Sequence, residues 1–326
     1  MIRLILVGVG VFLTSTAEAQ GAREPVIDMH FHALGHADQG PPPSFVCAPF
    51  ENWPIREPGK PISEYMKDFT GSPDCANRIA TPTSDAELMQ RNLASLERNN
   101  VLAVASGSAE RVESVRRAAP KRILYGVVPS LKSSGIGDLR ALHRAGRLQV
   151  IGEFAPQYNG IAPNDPRLEP YYALAEELDV PIGIHIGPGP PGAPYFMAEK
   201  YRMSLSNPLL LEDVLLKHPK MRLYVMHAGW PMGDAMVALL YAHPQVYVDT
   251  AVISFSQPRA EFHAYLKRLV EAGYGKRIMF GSDQMVWPEA IDVGIAAINE
   301  ASFLSQEQKR DILYNNAARF LRLPKS

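Results

Sequence analysis

The chain has 326 residues, 46% of them hydrophobic and 21% charged, which is the composition of a folded, enzyme-sized protein. Its formal net charge of −1 argues against nucleic acid or an anionic membrane surface as the main partner, because both demand a sustained basic patch. A small-molecule substrate is the partner this leaves, and assembly as a homo-oligomer is compatible with it.

The first twenty residues differ from the rest. A basic start (Met1-Ile2-Arg3), an apolar run from Leu4 to Leu13 and the small-x-small site Ala17-Glu18-Ala19 have the layout of a secretory signal peptide. The reading is therefore a signal peptide over 1–19 and a mature chain over 20–326 that is periplasmic or secreted. The apolar run is short for a bilayer span, so no stable membrane insertion is expected once the signal is removed. A buried first strand and an uncleaved anchor are the competing readings.

From residue 26 onward, short β-rich runs alternate with amphipathic helical stretches. Strands are expected at Val26–Ala33, Val101–Ser106, Ile123–Pro129, Gln149–Phe154, Pro181–Gly187, Arg222–His227, Val246–Thr250 and Arg277–Asp283. Helical patterns between them include Asp85–Asn99, Pro166–Asp179, Leu209–His218 and Arg259–Ala272. Eight strands, most followed by a helix, predict a single (β/α)8 TIM-barrel domain. An open doubly wound sheet is the alternative, but no glycine-rich phosphate loop follows the first strand. About fifty Pro-rich residues after strand one break the rhythm, and a loop that long in a compact domain is usually functional or disordered. It leaves the end of the strand that faces the active site in this fold, so it reads as a partial lid carrying Phe45, Phe50 and Trp53. Its Cys47 and Cys75 are the chain's two cysteines. In an oxidising compartment they can pair to staple the loop, and two free thiols are the alternative.

The chemistry begins at Asp28-Met29-His30-Phe31-His32. Residues two apart on a strand share a face, so His30 and His32 are expected inside the barrel, with Met29 and Phe31 toward the outer helices. Two inward imidazoles make half of a metal site. Later strands end in Gly152-Glu153, Ile184-His185, Met226-His227 and Ser282-Asp283, each bringing one metal-type side chain to the barrel mouth. Such a buried group of histidines and carboxylates without a cation would leave costly unpaired charges.

His30-x-His32, Glu153, His185, His227 and Gly-Ser-Asp283, in that order on strands one, four, five, six and eight, resemble the amidohydrolase superfamily. The likeness is nearer to the amidohydrolase-related branch that includes aminocarboxymuconate-semialdehyde decarboxylase. Val-Met-His227-Ala-Gly-Trp230, Phe-Gly-Ser-Asp283 before Trp287-Pro288, and Tyr314-Asn315-Asn316-Ala317-Ala318-Arg319-Phe320 carry it further. The resemblance implies one divalent metal, zinc first among the candidates, held by His30, His32, His185 and Asp283. It also implies that His227 bonds the reacting water or a substrate oxygen, and that Asp283 accepts and passes on the water's proton. Glu153 is either a bridge between two metals or a support for one, and one metal is the expectation.

The substrate-facing candidates are Gln157, Tyr158, Tyr195, Trp230 and Trp287 on loops at the catalytic face, with Arg202 as a partner for a substrate carboxylate. Ordinary loop packing is the competing reading for each aromatic, and a solvated surface for Arg202. The expected reaction is hydrolysis of an amide, ester or lactone bond by metal-activated water. The alternative is nonoxidative decarboxylation of a small aromatic or unsaturated acid, which needs a cation beside the metal. A metal-binding barrel without turnover ranks third, because both Asp283 and His227 are present.

Overall fold

The computed structural model describes residues 23–129, 131 and 135–324. The signal-peptide reading falls on residues 1–19, outside the described residues. Eight parallel strands follow one another around the sheet: β1 (Val26–Ala33), β2 (Val101–Gly107), β3 (Ile123–Val127), β4 (Val150–Phe154), β5 (Ile182–His185), β6 (Leu223–Met226), β7 (Tyr247–Asp249) and β8 (Ile278–Met279). They are buried on both faces and so read as nearly continuous apolar runs.

β8 is much shorter than the expected Arg277–Asp283. Beyond Met279 the chain stays extended but transfers its bonding to β1, and this closes the barrel. Met29 N donates to Phe280 O at 3.0 Å and Asp283 N to His30 O at 2.7 Å. Two side chains complete the seam. The Asp28 carboxylate accepts from Ser282 N and from its hydroxyl. The Gln284 amide acts as a surrogate peptide, accepting from His32 N at 2.9 Å and donating to His32 O at 2.8 Å.

Apolar side chains fill the lower barrel, among them Met29, Val104, Val150, Tyr224, Met226 and Met279, and Phe320 of the C-terminal helix Asn316–Leu321 plugs the strand starts. Met29 therefore lies inside, contrary to the face expected for it. The β1–β2 register shifts between Asp28 and Phe31, so the alternation is reset and His30 still points inward. Gly183 on β5 leaves room for this filling, because a Cβ there would collide with the Tyr224 ring and the Met226 methyl. Gly183→Ala is expected to destabilise the fold by about 1–3 kcal/mol through overpacking, measured by denaturant unfolding. An unchanged midpoint would mean that the interior repacks freely.

The Pro-rich segment is ordered rather than a loose tail. Phe45–Cys47 pairs antiparallel with Arg78–Ala80, helix Ile62–Met66 lies between them, and Cys47 is disulfide-bonded to Cys75. Phe50, Tyr65 and Phe69 pack with Phe255, Val286 and Trp287 from the segments after β7 and β8. Trp53 stacks on Phe50 with ring centroids 4.5 Å apart, and the Tyr65 hydroxyl donates to Pro191 O beyond β5. This cap rests on three loops of the catalytic face. No helix among the described residues is long and apolar enough to cross a membrane.

Candidate metal centre

Irregular backbone falls where the candidate ligands sit. One ladder shift straddles His30, and a second, between Ile151 and Phe154, straddles Glu153. Just past β6 and β8 the chain turns through left-handed backbone at His227 (φ 58°) and Asp283 (φ 52°). Non-glycine residues held there cost about 1–3 kcal/mol each and cluster at functional sites. Gly281 makes the close approach possible, because a Cβ on it would meet His30 Cβ at 3.0 Å and Asp249 Cγ at 3.2 Å.

Three groups of candidate donors overlap here: His30, His32 and Asp283; Glu153, His185 and His227; and His30, His227 and Asp249. The Glu153 carboxylate joins the first two. In the first, His30 Nε2 lies 3.2 Å from His32 Nε2, and Asp283 Oδ1 lies 2.9 Å from His32 Nε2 and 3.8 Å from His30 Nε2. Glu153 Oε2 completes it at 3.8 Å from His30 Nε2 and 3.6 Å from His32 Nε2. In the second, Glu153 Oε1 contacts His185 Nδ1, and His227 Nε2 lies 3.0 Å from His185 Nδ1 and 3.5 Å from Glu153 Oε1. His185 was expected with His30, His32 and Asp283; the structure groups it with Glu153 and His227 instead.

Donor spacing tests whether a cation fits. Four ligands at about 2.0–2.2 Å from a tetrahedral ion lie about 3.3–3.6 Å from one another. The spacings among His30, His32 and Asp283, and from Glu153 to the two histidines, run from 2.9 to 3.8 Å and bracket that value. Two imidazole nitrogens facing each other beside two carboxylates are hard to satisfy by hydrogen bonds alone. His185 Nε2 and His32 Nδ1 are buried without a hydrogen-bond partner. The residues fit a divalent cation.

Electrostatics set how such a cation loads. Burial disfavours a charged His30 ring, but the carboxylates of Asp283, Asp249 and Glu153 outweigh it and push its pKa well above the ordinary histidine value. Burial likewise opposes ionised Glu153, yet His185, His227 and His30 hold its pKa well below the usual carboxylate range. A cation entering the first group must displace the His30 proton. Affinity is expected to fall as pH falls, by about tenfold per unit for one displaced proton. Zinc titrations between pH 8 and pH 6 measure it, and a flat profile would contradict the raised His30 pKa.

The substrate-facing candidates scatter. Tyr158 stays at the site, its ring 5.1 Å from that of His185. Gln157 is buried, and its amide donates to His185 O, so it braces a ligand strand. Trp287 is buried under the cap. Trp230 turns away toward helix Arg259–Leu269, its indole N–H donating to Glu261 at 3.0 Å. Arg202 is exposed and donates to Glu199 O and Tyr201 O, each at 2.7 Å, which holds its own loop rather than facing the site. Tyr195 is 63% exposed at the rim, beneath the Arg56 guanidinium. One residue was missed: Asp249 at the end of β7, fully buried, with Oδ2 3.4 Å from His30 Nδ1.

The sequence model described as amidohydrolase matches residues 27–323. No curated protein matches the sequence. Solved structures of similar fold include 4-oxalomesaconate hydratase from Rhodopseudomonas palustris (18% identity, 91% of this chain and 95% of that one, TM-score 0.58). A probable 2-pyrone-4,6-dicarboxylic acid hydrolase from Acinetobacter baumannii is similar at 13% identity over 91% of this chain and 99% of that one, TM-score 0.57. 2,6-Dihydroxybenzoate decarboxylase from Rhizobium is similar at 16% identity over 92% and 99%, TM-score 0.54. Decarboxylases recur among these matches.

Proposed function

Because this chain belongs to the amidohydrolase family, we propose that it is a metal-dependent enzyme that removes a carboxyl group, without an oxidant, from a small aromatic or unsaturated acid. The observation that carries this reading is the substrate chemistry named for proteins of like fold, all conjugated carboxylic acids, with decarboxylation recurring among the reactions. His30, His32 and Asp283, with Glu153, would hold the cation. Zinc is the first choice for a donor set of histidines and carboxylates. When bound, it would polarise a substrate oxygen and acidify water. Asp283 Oδ2 would then take a proton from a substrate hydroxyl and pass it to the ring carbon. That carbon keeps the electron pair of the breaking C–C bond as carbon dioxide leaves. Tyr158 would line the pocket beside His185, and the substrate carboxylate would have to be met by the bound cation itself, because Arg202 holds its own loop.

Hydrolysis of an amide, ester or lactone bond is the second reading, favoured by Glu153, which faces both groups and gives room for a second cation with His185 and His227. The deciding experiment offers zinc- and manganese-loaded protein 2,6-dihydroxybenzoate, 5-carboxyvanillate and parallel lactone, ester and amide panels. Release of carbon dioxide supports the first reading, and turnover confined to the hydrolytic panels replaces it with the second. The same proposal places the mature chain, residues 20–326, outside the cytoplasm, in keeping with the Cys47–Cys75 bond.

A further inference from the structure

We infer that Asp249 is a positioning residue that sets the tautomers of His30 and His227, so that one carboxylate behind the site orients a ligand in each group. The inference rests on the metal-centre reading above. Asp249 ends β7 and is fully buried. Its Oδ1 accepts from His227 N at 2.8 Å and from Ala251 N at 3.1 Å. Its Oδ2 faces His30 Nδ1 at 3.4 Å, within ion-pair distance, and neither of these two atoms has a hydrogen-bond partner among the described residues.

Each arm of this carboxylate fixes one ring. A carboxylate oxygen only accepts, so the His30 nitrogen facing it is stabilised when it carries the proton. The lone pair is then left on Nε2, the atom turned toward His32, Asp283 and Glu153. His227 is held one step further on. Its Nδ1 lies 3.1 Å from Ala251 O, which also only accepts, and the adjoining Ala251 N–H is tied to Asp249 Oδ1. His227 Nε2 is thereby freed toward Glu153 and His185. The hydrogen bond to His227 N also braces the left-handed backbone at that residue. Asp249 is not itself a ligand on this reading, because it meets His30 through the nitrogen opposite the first group. Carboxylates behind metal-bound histidines commonly act this way.

The test uses Asp249→Asn, which keeps the shape and one carbonyl oxygen. With that oxygen still accepting from the two backbone N–H groups, the amide nitrogen faces His30 Nδ1 and forces the proton to Nε2. Isothermal titration with zinc chloride should show affinity reduced about 10–100-fold, with the thermal midpoint within a few degrees of wild type. Nitrogen-15 histidine spectra, taken at a pH high enough for the His30 ring to be neutral, should move its single proton from Nδ1 in wild type to Nε2 in the variant. Equal zinc affinity in both proteins would overturn the inference. So would a wild-type His30 protonated on Nε2 only, a result that needs no variant to fold. If the wild type binds no zinc, the metal-centre reading itself is what has failed.

Discussion

His30→Ala should reach the analyst with its zinc reduced by more than about 100-fold in affinity, since even the groups behind a metal ligand cost about 10–100-fold when removed. The ring is fully buried at the centre of the first group, within 3.2–3.8 Å of its three fellow donors. Alanine removes the donor and leaves a void beside Gly281, where the backbone already approaches closely. His32, Asp283 and Glu153 alone would leave a cation one ligand short and open to water. His185→Ala should behave differently. Its ring belongs with Glu153 and His227, so the first group stays whole and the protein keeps one equivalent of metal. Elemental analysis of both variants beside wild type makes the comparison. Equal loss in the two variants would show that His185 swings across to complete the first site. Glu153→Gln extends the count: a fall from two equivalents would mark it as a bridge and favour hydrolysis.

The barrel and most of the site were legible because both faces of each strand are buried. Apolar runs then stand out, and a lone His, Glu or Asp at the end of such a run is conspicuous. Alternation correctly turned His30 and His32 inward but misplaced Met29, because one shifted ladder register in β1 leaves no mark in residue types. Asp249 at the end of Val246–Thr250 meets the same rule, but the family resemblance places ligands on strands one, four, five, six and eight and none on strand seven. The grouping of His185 with Glu153 and His227 was also beyond reach, since a sequence indicates which strand ends in a ligand but not which neighbours its ring meets. Loop residues were the least readable. Trp230 follows a ligand strand closely and Arg202 lies on the long segment after another, yet their side chains are claimed by Glu261 and by local carbonyl groups.

Asp283→Asn is expected to lower turnover by about 10²–10⁴ while lowering metal affinity far less. The two oxygens of Asp283 are placed differently. Oδ1 lies within the first group, 2.9 Å from His32 Nε2, whereas Oδ2 looks away from it and lies 3.9 Å from His227 Nδ1. Burial alone would raise the pKa of this carboxyl, but His30 and His32 beside it win and hold it below the usual carboxylate value. It is therefore ionised through the neutral range, and the placement of Oδ2 is what suits it to take a proton, from a substrate hydroxyl in decarboxylation or from water in hydrolysis. Asparagine keeps the shape and one neutral oxygen donor but has no site for that proton. The expected loss is thus in the rate constant rather than in occupancy, and it holds for either reaction. His227→Asn supplies the contrast, because it removes a donor of the second group and should leave the metal content of the first near wild type. The measurement is metal stoichiometry beside turnover number for both variants, on whichever panel compound wild type converts. Near-wild-type turnover in fully loaded Asp283→Asn would remove this residue from the proton path. Loss of both metal and rate together would reduce it to a ligand alone.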